Sequence, residues 1–252
     1  MHVVRHGSGT PLLLLHGIGD NHRTWRPVAK RCASQGCEVH AVDLPGFGES
    51  PSQSDQSVRG LARAVAEQFD GGRMHVGGSS LGGAVALELG RMGFARSVLA
   101  LSPVGFWEDA EVPRARAVLR AYKAFAAAGV PGIAVSSRSA LVRQFGAAPM
   151  MLRGDRMTAE EMAASARSYV RSPGWAATLD EMLELRQGTG DLPVPTTVMW
   201  GRQDFLLPCD PQARRARSRL PGARHLELNQ AGHLAMWDAP ERIVAALVRM
   251  HA

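Results

Sequence analysis

Short apolar runs and stretches of helical periodicity alternate along the first hundred residues of the chain. The clearest run, residues 12–15, consists of four leucines bounded by Pro11 and Gly17, which is typical of a strand buried on both faces. Strands are predicted at residues 3–4, 12–15, 39–43 and 97–101, and a further strand begins at Met74. Helices are predicted at residues 24–34 and 57–69, and a further helix begins at Ser80. This alternation predicts a parallel sheet flanked by helices.

The alternation stops after residue 103 and resumes near residue 192. In between, helices are predicted at residues 110–128, 132–145, 158–170 and 175–187. Strands then follow at residues 196–200 and 224–228, and helices at residues 211–220 and 240–250. An all-helical block within an alternating pattern is typical of an inserted cap. We therefore predict a core of residues 1–103 and 192–252 and a helical cap insertion at 104–191.

Polar residues come directly after several of the predicted strands. His16, Ser80, Asp204 and His233 each follow a different strand. In an open parallel sheet, ligands bind beyond the carboxyl ends of the strands, so these positions are well placed for chemistry. We expect the four side chains to lie near one another.

Ser80 has the sequence surroundings of a nucleophile. The pattern Gly78-x-Ser80-x-Gly82 suits a serine on a sharp turn from strand to helix, although glycines here could also simply pack a helix on a sheet. The neighbouring Ser79 lacks glycines two residues away on both sides. A serine needs a base to take its proton, and an imidazole base needs an acid to orient it. His233 and Asp204 can supply these two roles.

With these motifs the sequence resembles the α/β-hydrolase family over nearly its whole length. The order serine, acid, histidine is that of this fold. The segments similar to the family's oxyanion loop, following loop, nucleophile elbow, acid segment and base segment are residues 16–19, 43–50, 78–83, 200–204 and 231–233. The helical block resembles the family's cap. Family members usually carry one more strand ahead of residues 3–4, so either an edge strand is missing or the start site is mis-assigned.

The resemblance implies a mostly parallel central sheet with helices on both faces. It implies Ser80 as nucleophile, Asp204 as acid and His233 as base. It further implies an oxyanion hole formed by the backbone N–H groups of Ile18 and Leu81. No metal and no organic cofactor is expected.

The function implied is that of a serine hydrolase that cleaves a carboxylic ester or related acyl bond through an acyl-serine intermediate. Two alternatives stay open. One is a carbon–carbon bond hydrolase of aromatic ring-cleavage products, and the other is a hormone-type small-molecule receptor with slow turnover. Relatives with an aspartate nucleophile are disfavoured by Ser80.

Large apolar side chains near the predicted site are candidates for a substrate pocket. The helical block supplies several of them, which favours a small, neutral, apolar substrate. The residues predicted to bind substrate are Trp107, Met151, Trp175, Phe205 and Trp237.

Composition narrows the class of protein further. The 252 residues carry a formal net charge of +6, but the excess is arginine spread over the whole chain, which argues against a nucleic-acid surface. The three cysteines form no pair typical of a disulfide framework or zinc site, and no apolar run resembles a signal peptide or a membrane span. We expect a cytoplasmic protein with reduced thiols, no membrane partner and an undetermined oligomeric state.

Other polar residues are assigned supporting roles. His16 is expected to support its loop, Asp43 to organise the loop that follows it, and Asp238 to cap the last helix. The spacing of the remaining histidines along the chain suggests no metal site.

Overall fold

Seven strands form a single sheet in the computed structural model, which describes residues 1–69, 72–148 and 150–251. The strands are β1 (Val3–His6), β2 (Thr10–Leu15), β3 (Cys37–Val42), β4 (Met74–Ser79), β5 (Ala95–Leu101), β6 (Thr196–Gly201) and β7 (Arg224–Leu228). Their order across the sheet is β1-β3-β2-β4-β5-β6-β7. The edge strand β1 pairs antiparallel with β3, and the other neighbouring pairs are parallel. The predicted fold class is confirmed.

Helices cover both faces of this sheet. They are α1 (Arg26–Ala33), α2 (Val58–Gln68), α3 (Leu81–Arg91), α4 (Val112–Gly129), α5 (Ile133–Ser136), α6 (Ala140–Ala147), α7 (Ala159–Arg171), α8 (Trp175–Glu184), α9 (Cys209–Arg219), α10 (Ala235–Asp238) and α11 (Pro240–Val248). Several begin where a side chain satisfies the first free N–H groups. The Ser57 hydroxyl accepts from the Gly60 N–H at 3.0 Å, and Thr158 forms a reciprocal capping box with Glu161.

The leucines of β2 show why the sheet needs helices on both sides. Leu12 and Leu14 belong to one cluster of buried side chains, and Leu13 and Leu15 belong to another. Because successive side chains of a strand point to opposite faces, the two clusters lie on opposite faces of the sheet. All four leucines are fully buried, as the apolar run predicts.

One predicted helix is wrong. Residues 132–145 form two shorter helices, α5 and α6, separated by a turn at residues 137–139. The Ser137 N–H still makes the last helical bond, to the Ile133 carbonyl at 3.0 Å. The carbonyls of Ser137 and Arg138, which a continuing helix would use, instead accept from the Arg143 guanidinium at 2.7 and 3.0 Å. These side-chain bonds favour a turn over a continuous helix.

The helix predicted at residues 24–34 begins later than expected. A 3₁₀ turn at His22–Trp25 comes first, because the Asn21 side chain accepts from the Arg23 N–H at 2.9 Å and starts a tighter turn. Pro27 then lies in the first turn of α1, where its missing N–H costs nothing.

The segment between β5 and β6 contains α4 to α8 and, in its described residues, no strand. The Trp107 indole N–H, near its beginning, donates to the Leu185 carbonyl near its end at 3.1 Å. In the described part of the chain, no helix is long and apolar enough to cross a membrane. The division into core and cap at residues 104 and 191 stays a prediction.

Candidate active site

Ser80 stands on a strained turn between β4 and α3. Its backbone angles are φ 56° and ψ −115°, outside the regions that a non-glycine residue usually adopts. Conformations of this kind cost on the order of 1–3 kcal/mol and persist only where the surroundings enforce them. Here the Ser80 N–H donates to the Leu101 carbonyl at 2.9 Å, and the Ser80 carbonyl accepts from the Ala84 N–H at 3.1 Å.

The glycines around Ser80 allow the turn to form. A Cβ atom at Gly78 would lie 2.0 Å from the Gly82 carbonyl oxygen, and one at Gly82 would lie 2.2 Å from the Leu15 carbonyl oxygen. Both distances are impossible for a real side chain, so strand, helix and the end of β2 meet backbone to backbone. The glycine pattern is therefore required by close packing at the elbow.

His233 and Asp204 form a buried, directed pair. The Nδ1 atom of His233 lies 2.7 Å from Oδ2 of Asp204, and the two side chains are 3% and 0% exposed. The other carboxylate oxygen, Oδ1, accepts from the N–H groups of Leu206 and Leu207 at 2.9 and 2.8 Å. Because an ionised carboxylate can only accept, the ring proton is assigned to Nδ1, which leaves the Nε2 lone pair available as a base.

The two loops that carry this pair are joined by backbone contacts. The Gln203 N–H donates to the Ala231 carbonyl at 3.0 Å, and the Gln203 side-chain oxygen accepts from the Ala231 N–H at 3.1 Å. A Cβ at Gly201 would lie 2.2 Å from the Gly232 carbonyl oxygen. The ends of β6 and β7 are thus fastened together, and Asp204 has a fixed position relative to His233.

Asp238 also holds the loop at residues 231–233, which leads to His233. Its carboxylate accepts from the N–H groups of Gly232 at 2.7 Å, Leu152 at 2.9 Å and Arg153 at 2.8 Å. The predicted cap role is wrong, since α11 has no side-chain cap. Asp238 instead connects the residue before His233 to the helical block, a contact over more than 80 positions that local spacing could not reveal.

The loop at residues 16–19 lies against Ser80. A Cβ at Gly17 would be 3.3 Å from the Ser80 Cβ and 3.8 Å from its Oγ. The buried His16 ring supports this loop, as predicted: Nδ1 contacts the Gly17 carbonyl at 2.7 Å, and Nε2 accepts from the Leu44 N–H at 2.9 Å. These partners assign a neutral ring protonated at Nδ1, and burial lowers the pKa of His16.

Asp43 organises the neighbouring loop, as predicted. Its carboxylate accepts from the His22 N–H at 2.6 Å, from the His22 ring at 2.8 Å and from the Glu49 N–H at 2.9 Å. Burial alone would raise the pKa of Asp43, but the His22 hydrogen bond and the other donors outweigh it and lower the pKa to about 2. Asp43 is thus a structural anion at neutral pH.

The fold also brings together a group that spacing along the chain does not suggest. One ligand atom from each of His2, His22 and Asp43 lies within 4.8 Å of the others. Spacing along the chain concerns sequence neighbours and gives no indication of this grouping. Because Asp43 already accepts three hydrogen bonds here, this cluster has a full structural explanation, and we assign it no metal.

The backbone N–H groups of Ile18 and Leu81 remain the predicted oxyanion donors. Leu81 is the first residue of α3, so its N–H has no carbonyl one turn earlier in the helix. Ile18 lines a small cavity of about 40 Å³ together with Ser80 and His233. The two donors would approach this cavity from different elements, the loop after β2 and the start of α3.

A larger cavity adjoins the small one. Its volume is about 150 Å³, and the two share Asp20, Tyr122, Ser165 and Leu234 in their walls. An engineered cavity of similar size in another protein stays dry and binds benzene, so roughly six carbon atoms fit. The rest of the wall is mostly apolar and comes from the helical block, from Trp237 and from Asn21, Arg23 and Thr24 between β2 and α1.

The predicted pocket residues divide into two groups. Met151 and Trp237 line the larger cavity. The other three line neither of these two cavities: Trp107 is buried beside Leu185, Trp175 packs on Tyr169 with ring centroids 6.1 Å apart, and Phe205 is 73% exposed. Large apolar side chains serve equally well in core packing, so residue type did not separate wall from core.

Asp20 is a wall residue that sequence reasoning missed. It follows Gly19 in the loop that resembles an oxyanion loop, so it could have been considered by position. Its Oδ1 accepts from the Asn21 N–H at 2.9 Å, and the Ser168 hydroxyl donates to its carbonyl at 3.3 Å. Burial raises the pKa of Asp20, because the surroundings of this junction disfavour a charged carboxylate.

Comparison with known proteins agrees with this fold. The sequence profile of the Alpha/beta hydrolase family matches residues 12–246, and the chain belongs to that family. An esterase from Exiguobacterium antarcticum has a structure with a TM-score of 0.77, 19% sequence identity, and coverage of 100% of this chain and 95% of its own.

Two sequence relatives show how far the similarity extends. An uncharacterized protein of Mycobacterium bovis is 29% identical over 96% of this chain and 75% of its own length. A pimeloyl-[acyl-carrier protein] methyl ester esterase of Aeromonas salmonicida is 44% identical over 89 residues, 34% of each chain. The relatives therefore include esterases, and this 44% identical stretch covers a third of the chain.

His16 and Asp43 predict stability losses in two separate pH windows. An unfolded histidine takes a proton near pH 6.5, whereas folded His16 resists it, so the free energy of unfolding should fall as pH drops below about 6.5. The lowered pKa of Asp43 stabilises the fold above about pH 4, and this contribution should be lost as pH falls towards 2.

Urea unfolding at several pH values, followed by circular dichroism, measures both effects. His16→Gln should flatten the slope between about pH 6.5 and 5, and Asp43→Asn should flatten it only below about pH 4. Slopes in the His16→Gln protein that equal those of the wild type would contradict the neutral, buried His16.

Proposed function

We propose that this protein is a serine hydrolase that cleaves carboxylic esters of small apolar acids through an acyl-Ser80 intermediate. The observation that carries the proposal is the buried His233–Asp204 pair, whose ring opens on the same cavity as the strained Ser80. Family membership and the esterase relatives support the ester class. The helical block at residues 104–191 would act as a cap that supplies most of the substrate pocket.

In the proposed reaction, His233 Nε2 takes the Ser80 proton as Oγ attacks the ester carbonyl. The N–H groups of Ile18 and Leu81 hold the oxyanion. Removal of one such donor typically raises the barrier by about 2.7–4 kcal/mol. His233 then gives its proton to the leaving alcohol. Water, activated by the same ring, attacks the acyl-serine and releases the acid. Asp204 keeps the ring in the correct tautomer throughout.

The two adjoining cavities favour a particular division of the substrate. The small cavity would hold the ester carbonyl, and the larger one would hold an acyl chain or ring of about six carbons. The burial that raises the pKa of Asp20 would also disfavour a charged substrate carboxylate close to the scissile bond. The local match to a methyl ester esterase is consistent with a small alcohol as leaving group.

The proposal predicts that a fluorophosphonate probe labels Ser80 and abolishes turnover. Ser80→Ala should lose label and lower kcat by several orders of magnitude, while the folded state persists because the elbow depends on glycine and not on the hydroxyl. Ser79→Ala is the matched control at a buried neighbour and should keep both label and turnover. Label retained in Ser80→Ala would contradict the assignment, and tight binding with a single slow turnover would favour the receptor alternative.

The cavity predicts an acyl-length optimum for p-nitrophenyl esters. Each added CH₂ is worth up to ~0.8 kcal/mol, or about 4-fold in kcat/KM, until the cavity is full near six carbons. Met151→Ala enlarges the cavity and should lengthen the optimum, whereas Ala166→Leu fills it and should shorten it.

Met182→Ala provides the matched control for this series. Met182 is as buried as Met151 but lines neither of the two cavities. The optimal acyl length of the Met182→Ala protein should therefore equal that of the wild type. A length profile that none of the wall substitutions changes would show that the substrate binds elsewhere.

A further inference from the structure

An apolar surface is exposed on the helical block. Among the described residues, seven large apolar side chains are well exposed, and five of them fall between residues 125 and 145. We call these five, Phe125, Val135, Leu141, Val142 and Phe145, the apolar surface. Soluble monomers seldom expose clustered large side chains without a binding role.

The apolar surface borders the mouth of the larger cavity. Phe125 and Val142 belong to the cavity wall and are at the same time 63% and 40% exposed, so the cavity reaches solvent beside them. On α6, the helix that carries Val142, Leu141 and Phe145 are one turn apart and share a face, with exposed fractions of 68% and 73%. The path into the cavity therefore begins among exposed apolar side chains.

The charges of this segment are of one sign. Residues 112–154 contain seven arginine and lysine residues and no aspartate or glutamate. In the described part of the chain, no carboxylate oxygen lies within 4 Å of the charged nitrogens of Arg120, Lys123, Arg138 or Arg143. The one glutamate of the cavity wall, Glu161, is paired with Arg26 at 2.8 Å.

We propose that the apolar surface and its cations dock the protein on an anionic lipid bilayer. Exposed phenylalanine and leucine side chains would enter the interface, while the arginines would contact the lipid phosphates. A fluid layer accepts side chains from several short helices without a fixed complementary shape. The expectation of no membrane partner rests on the lack of an apolar run long enough to span a bilayer. Docking on a membrane surface needs no such run.

Docking in this orientation also specifies the source of the substrate. The mouth of the cavity would face the bilayer, so an acyl chain could pass from lipid to cavity without crossing water. The substrate class would be single-chain esters dissolved in the membrane. This second step rests on the proposed function, whereas docking itself does not.

The test is sedimentation of the Ser80→Ala protein with vesicles, since this variant cannot consume lipid. We expect binding to an equimolar mixture of phosphatidylcholine and phosphatidylglycerol, weaker binding to phosphatidylcholine alone, and loss of the difference at high salt. Equal binding to both vesicles, or binding to neither, would overturn the proposal. So would binding to poly-L-glutamate in place of vesicles, which would indicate an acidic polymer partner.

Matched variants locate the surface. Phe145→Ser should weaken vesicle binding about 10-fold, whereas Phe205→Ser, with the same 73% exposure outside the apolar surface, should not. Arg120→Glu and Arg138→Glu should each weaken it by at least about 5-fold, and the exposed Arg63→Glu on α2 should have no effect. Equal effects of the paired variants would refute the assigned surface.

Hydrolysis of a water-soluble p-nitrophenyl ester separates this proposal from the proposed function. The Phe145→Ser change, introduced into the active protein, should leave that hydrolysis unchanged, because Phe145 lies outside both cavity walls. Turnover of soluble esters without vesicle binding would refute docking alone. Vesicle binding without any turnover would refute the proposed function and keep docking.

Discussion

The candidate site depends on the direct contact of backbones at the end of the sheet. Gly78 and Gly82 bring β4 and α3 together, and Gly82 meets the end of β2, with no room for a single carbon atom at either position. This packing forces Ser80 into its strained angles and places the start of α3 beside its hydroxyl. Because the constraint lies in the backbone, side-chain chemistry at Ser80 can change without loss of the turn.

Buried polar residues hold the surrounding loops to this frame. His16 connects its loop to the backbone after β3, Asp43 connects the loops of His22 and Glu49, and Asp238 connects the loop at residues 231–233 to the helical block. Most of their partners are backbone N–H groups, which are stable in position and cannot rotate away. The site therefore gains its rigidity from carboxylates and an imidazole that take no part in the proposed chemistry.

The sheet and the polar side chains around the small cavity could be predicted from the sequence because both follow from local patterns. Apolar runs indicate strands, and a polar residue after a parallel strand is bound to lie at one edge of the sheet. The pocket wall could not be predicted in the same way. Trp107, Trp175 and Met151 are all large, apolar and buried, and only the fold decides which of them faces a cavity.

Contacts between distant segments were the other source of error. The role of Asp238 and the grouping of His2 with His22 and Asp43 depend on which loops the sheet brings together. The break at residues 137–139 depends on the Arg143 side chain, which donates to the carbonyls of Ser137 and Arg138. Periodicity along the chain carries no information on these interactions.

The central claim is that an acyl group passes through Ser80. Rapid acid quenching during turnover of p-nitrophenyl hexanoate, followed by mass analysis of peptides, tests it directly. An acyl-Ser80 intermediate would add the mass of one hexanoyl group to the peptide that contains Ser80, present during turnover and absent after substrate is exhausted. Steady turnover with no such adduct, or an adduct on any other residue, would contradict it.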